Sequence, residues 1–132
     1  MLRAAFLAFV LCLSLSSSAQ TLLSEDELRP FADRVVDVLR KEGTTAAFAM
    51  MKPYALIPES EFQALASEAT SAHDQFRARA GKTVGFDFFD QTRKESTIKV
   101  AYFERAKQGN LSWMLFFAKS ANGWGLGSFY VR

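Results

Sequence analysis

Cysteine is almost absent. Cys12 is the only one, and it lies in an apolar N-terminal stretch. No intramolecular disulfide can form, so an exported chain of this kind must be held by its core. Leu11 precedes Cys12 where a lipid-modified cysteine would follow a small residue, so no lipid anchor is expected. Histidine is equally scarce, with His73 alone. One histidine and no second cysteine exclude a zinc site, and the carboxylates lack the spacing of a calcium loop. No metal and no cofactor are therefore expected. Long apolar runs are missing too. The longest, Ala4 to Leu15, falls short of the about 20 residues that span a bilayer, so no stable membrane anchor is expected. Nor is there an excess of one charge: 16 Lys and Arg against 14 Asp and Glu leave a formal +2, with no block of like sign. That balance argues against nucleic acid and against an anionic membrane surface as partners. The glycines of "GWGLG" fall inside a strand pattern rather than before a helix, so they make no phosphate loop. No nucleophile elbow is present.

The N-terminus carries an address. "MLRAAFLAFVLCLSLSSSAQ" has one basic residue, Arg3, then the apolar run, then small polar residues ending at Ala19. This is the pattern of a secretory signal peptide over residues 1–19, with cleavage expected between Ala19 and Gln20. The expected location is periplasmic or secreted. Loss of Arg3 leaves 15 positive against 14 negative side chains, a net +1. Residues 20–132 suffice for a single domain with one core.

Periodicity then divides the chain. In "SEDELRPFADRVVDVLRKEG", Leu28, Phe31, Ala32, Val35, Val38 and Leu39 recur at helical spacing. Ser24 and Glu27 fit a capping box, and Gly43 fits a stop. Pro30 predicts a kinked or frayed first turn. A short helix over Ala46–Met51 and an irregular link marked by Pro53 and Pro58 follow. A second long helix runs from about Glu59 to Ala80, with Phe62, Leu65, Ala66, Ala69, His73, Phe76 and Ala80 on its buried stripe and Gly81 at its end. From Lys82 the period becomes two. Strands are expected at about Thr83–Thr92, Thr97–Ala106, Leu111–Lys119 and Trp124–Val131. The fold class is α+β, with N-terminal helices packed on a four-stranded antiparallel meander.

The final hairpin, "LSWMLFFAKSANGWGLGSFYVR", carries aromatic residues on both alternating faces. A Gln108-Gly109 turn sets Glu104 beside Trp113, Tyr102 beside Leu115 and Val100 beside Phe117 on one face. Phe103 beside Met114 and Ala101 beside Phe116 lie on the other. The Asn122-Gly123 turn then sets Leu115 against Tyr130 and Phe116 against Phe129. A bulge among Gly125, Gly127 and Ser128 would shift this last strand. The helices can cover one face only. The other, with Phe103, Met114, Phe116 and Phe129, is expected to be an interface, a homodimer being the default.

Several stretches resemble small exported proteins of the NTF2-like (cystatin-like α+β) superfamily. They are "PFADRVVDVL", "AMMKPYALIPESEFQAL", "RARAGKTVGFDFF" and "LSWMLFFAKSANGWGLGSFYV". The resemblance covers most of the chain after the signal segment. It implies helices on a curved sheet forming a cone. It does not choose among isomerases, dehydratases, transport adaptors and ligand-binding proteins, all built on that scaffold.

Candidate chemistry is sparse. His73 is the sharpest residue: on the sheet-facing stripe it is either a general acid-base or a core histidine hydrogen-bonded in place. A pocket lined by Phe62, His73, Phe76, Tyr102, Trp113 and Phe117, with Trp124 and Tyr130 nearby, would hold a small apolar ligand. The same rings would otherwise simply fill the core. Glu104 on an apolar face would have a raised pKa, but its place near a turn favours a wet sheet margin. Asp87 and Asp90 fall on opposite faces of a regular strand, and Asp74 reads either as solvated or as a partner of Arg77 or Arg79. Asn110-Leu111-Ser112 matches a glycosylation acceptor. The expectation is an exported binding module, associating through its aromatic sheet face with a second copy or an exported protein. An NTF2-like enzyme using His73 in acid-base chemistry is the alternative, and a cystatin-like inhibitor ranks last.

Overall fold

A computed structural model describes residues 21–132. The expected signal segment and its cleavage point lie outside the described residues. Helix α1 spans Leu28–Glu42, α2 Thr44–Met51 and α3 Glu59–Ala80. Strands β1 (Thr83–Lys94), β2 (Thr97–Ala106), β3 (Gly109–Ser120) and β4 (Gly123–Val131) follow. The strands form one antiparallel sheet in the order β1-β2-β3-β4. The α+β plan of helices packed on an open, curved, four-stranded meander is as the sequence predicts. Among the described residues no helix is long and apolar enough to cross a membrane.

Helix α1 is preceded by a 3-10 turn at Glu25–Glu27, where the Glu27 carboxylate accepts the Ser24 backbone N–H at 2.8 Å. Pro30 then sits in the first α-helical turn, where its missing N–H leaves no intrahelical bond unmade. The disturbance expected at Pro30 takes the form of that 3-10 turn. The buried stripe is Leu28, Phe31, Ala32, Val35, Val36 and Leu39. Val36 takes the place expected for Val38, which is only half-buried. Helix α2 starts two residues before the expected Ala46. Helix α3 buries Phe62, Ala69, His73, Phe76 and Ala80, and ends at Gly81 with φ 98°. That left-handed turn suits glycine and swings the chain directly into β1.

The helices and the inner sheet face share one core. Phe31 meets Phe117 edge-on at 6.0 Å, Phe48 stacks on Phe129 at 5.4 Å, and Phe62 lies 5.3 Å from Phe129. Tyr102 belongs to this core, and its hydroxyl donates to Asp33. Burial, followed by that bond, pushes the phenol's pKa well above its ordinary value.

Two hairpin registers differ from expectation by two residues. Ala106 pairs with Gly109, so Lys107-Gln108 is the turn, and Tyr102 faces Trp113. Ser120 pairs with Gly123, so Ala121-Asn122 is the second turn. A shift of two changes partners but keeps each side chain on its face. The register then slips once more in β4. Phe117 pairs with Leu126 and Phe116 with Ser128, leaving Gly127 unpaired. This bulge puts Phe129 opposite Leu115 on the inner face, and Tyr130 opposite Met114 on the outer. The outer edge of β4 is sealed by two short pairings, Leu23 with Trp124 and Ala55 with Leu126.

Candidate functional site

Four elements converge on one buried carboxylate. Glu104 comes from β2, His73 from α3, Thr83 from the start of β1 and Trp113 from β3. His73 Nε2 lies 2.9 Å from Glu104 Oε2. Trp113 Nε1–H donates to Oε1, also at 2.9 Å, and the Thr83 hydroxyl donates to Oε2. Trp113 is not the direct cross-strand neighbour of Glu104, which is Leu111. It is the diagonal neighbour on the same face, within reach of a long side chain. The Trp113 ring also meets the His73 ring edge-on at 5.9 Å.

Glu104 is 0% exposed, not the wet margin residue expected from the sequence. Burial alone would push its pKa up, but hydrogen bonds from His73, Thr83 and Trp113 outweigh that and hold it below the ordinary value. The raised pKa considered from sequence is therefore corrected as well. Glu104 is a fixed anion that accepts three side-chain donors, and its job is to orient them. With Nε2 bound to Glu104, His73 keeps Nδ1. The nearest carboxylate to Nδ1 is Asp74, 4.0 Å away and beyond hydrogen-bond reach. No buried side-chain nitrogen or oxygen lacks a hydrogen-bond partner among the described residues, so Nδ1 keeps some contact with solvent.

A cleft of about 300 Å³ opens at this cluster, between the end of α1, the last turns of α3 and the start of β1. His73, Thr83 and Glu104 line it together with Leu39, Phe86 and a rim of basic side chains. A wider groove of about 680 Å³ runs between α2 and α3 and includes Phe62. The six expected pocket residues are not gathered around one cavity. His73 lines the cleft and Phe62 the groove, while Phe76, Tyr102, Trp113 and Phe117 line neither and are packed in the core. Trp124 is core as well. Tyr130, expected near the pocket, is 40% exposed on the outer face. Among the described residues no group of His, Cys, Asp and Glu has a metal-binding arrangement.

The outer sheet face holds Phe103, Met114 and Phe116, as expected. Phe129 is corrected: it is 1% exposed and covered by α2 and α3, because Gly127 turns it inward. The outer patch is continuous. Phe89 packs on Phe103 at 4.8 Å and Phe116 on Tyr130 at 5.8 Å. Ala101, Met114 and Tyr130 form one row of direct cross-strand neighbours between the two ring pairs. Asp87 pairs with Phe103 and Asp90 with Ala101. Both aspartates thus lie on this face, contrary to the regular-strand expectation, because the bulge at Phe89 changes the alternation.

No family profile and no curated protein matches the chain. Among solved structures, one similar chain is a DUF4783 family protein from Bacteroides ovatus, at 14% identity and a TM-score of 0.43, covering 74% of this chain and 89% of that one. Another is a proposed NTF2-like transpeptidase from Campylobacter jejuni, at 16% identity and a TM-score of 0.42, covering 77% of this chain and 94% of the other.

Proposed function

We propose that the chain is an exported NTF2-like interaction module that associates through its outer sheet face with a second copy of itself. The observation that carries this is the patch of Phe89, Phe103, Met114, Phe116 and Tyr130 around the buried Ala101, which no helix covers among the described residues. Contiguous apolar surface of this kind usually marks an interface. Charge placement favours self-association. Asp90 stands at the β1 side of the face without an ion-pair partner among the described residues, beside Asp87, which Arg105 already pairs, while Arg132, paired with Ser112, stands at the β4 side. A two-fold axis parallel to the strands lays β1 of one copy over β4 of the other, so acid meets base twice. The groove between α2 and α3 is where a small apolar ligand would lie.

Native mass spectrometry of the gently purified exported protein tests the reading. The expected result is twice the mass of a chain beginning at Gln20, with Phe116→Asp giving a monomer. A wild-type monomer at all concentrations, or a dimer indifferent to Phe116→Asp, overturns it.

The His73–Glu104 pair supports a second reading as an acid-base enzyme. A carboxylate that fixes one imidazole nitrogen leaves the other to take or give a proton. Proton abstraction next to a carbonyl would appear as deuterium uptake at the α-carbon of simple ketones in heavy water. Uptake no faster than with the His73→Ala protein removes this reading.

A further inference from the structure

We propose that the cleft over His73 binds a small organic carboxylate with an apolar body. Four cations border this cleft, Arg40, Lys41, Arg77 and Lys82, against the single carboxylate of Glu104. Arg40 and Lys41 are both held by Asp37, at 2.6 and 3.1 Å. Arg77 and Lys82 are different. No carboxylate or other side chain pairs with either among the described residues. Arg77 lies one helical turn beyond His73 on the same face of α3, and Lys82 follows the Gly81 turn. Two uncompensated cations therefore line the same cleft as an imidazole that is 8% exposed.

The polar atoms define what fits. A guanidinium presents paired N–H groups that match a planar carboxylate. An ammonium adds charge without fixed direction. Glu104 beneath the site opposes a second negative charge, which favours a monoanion over a phosphate dianion. Leu39 and Phe86 supply apolar wall, and about 300 Å³ exceeds what a bare inorganic ion needs. The ligand is thus a carboxylate on a body of roughly one ring, set at the lower end of ordinary small-molecule pockets.

His73 is the only histidine in the chain, so in untagged protein its imidazole C–H signals report this site and no other. The test is an NMR titration of the full exported protein with benzoate, benzyl alcohol and phenyl phosphate. Benzoate is expected to move the His73 signals saturably, and benzyl alcohol to leave them in place. Arg77→Gln and Lys82→Gln each weaken benzoate about tenfold, the scale of one charge-assisted hydrogen bond. Arg77 and Lys82 are exposed, so both variants fold. The monomeric Phe116→Asp protein binds benzoate as the wild type does, which separates this site from the association surface. Unsaturable drift, equal response to benzyl alcohol, or unchanged affinity in both variants overturns the site. Phenyl phosphate binding more tightly than benzoate overturns the assignment to a monoanion.

Discussion

Glu104 accepts hydrogen bonds from an imidazole, an indole and a hydroxyl while shut away from water. Its pKa lies below the ordinary glutamate value of 4.5, so its contribution to stability is fully present above that value and is lost as pH falls through the depressed folded value. Denaturant midpoints taken from neutral to acid pH are expected to fall along that limb. Glu104→Gln flattens the limb and lowers stability at neutral pH by about 1–3 kcal/mol, because one carboxamide cannot accept all three donors. An unchanged acid slope in the variant contradicts this account. Much of the cluster is legible in the sequence: His73 stands out by its rarity and by its place on the α3 stripe, and strand alternation already puts Glu104 on the face of Trp113. What alternation cannot supply is height. Glu104 is near the end of β2, where strands commonly emerge into water. It is buried because the last turns of α3 and the Thr83 entry into β1 come down over it, a consequence of how far α3 reaches along the sheet.

At the scale of elements, the two long helices follow from apolar spacing together with their caps and stops, and α3 has the bounds its pattern predicts. The strands were legible in number and order, and largely in face. Hairpin turns misplaced by one residue shift the pairing by two and leave the faces intact, so the inner and outer sets of β2 and β3 survive the error. A bulge is another matter, because a single unpaired residue exchanges the faces of everything beyond it. In β4 the glycines at 125 and 127 are equivalent in pattern, and only packing selects 127. Deleting the unpaired Gly127 would leave Phe129 opposite Leu115, but inserting one residue after it is expected to drive Phe129 out of the core. The cost should approach that of Phe129→Ala, about 3–5 kcal/mol, measured by denaturant unfolding. An insertion variant within about 1 kcal/mol of the wild type would show that β4 tolerates either register. The bulge at Phe89 had no glycine to announce it, which is why Asp87 and Asp90 were separated in sequence and are together in the fold.

At the scale of the molecule, the inner face is packed with helices and, among the described residues, the outer face carries only its own side chains. The two edges of the sheet differ just as sharply. On one side Leu23 and Ala55 close off β4. On the other, β1 pairs with β2 alone, so its second row of backbone donors and acceptors is unoccupied among the described residues. A bare strand edge is a template for further strands. Here it is interrupted at Val84 and Phe89, where the register slips, and it bears Asp87, Asp90, Arg93 and Lys94 along its length. Bulges and charge are the two devices that spoil a flat edge for pairing. The consequence is a limit on growth: the proposed face-to-face association stops at two copies, while open-ended strand-by-strand polymerisation finds no clean surface on which to begin.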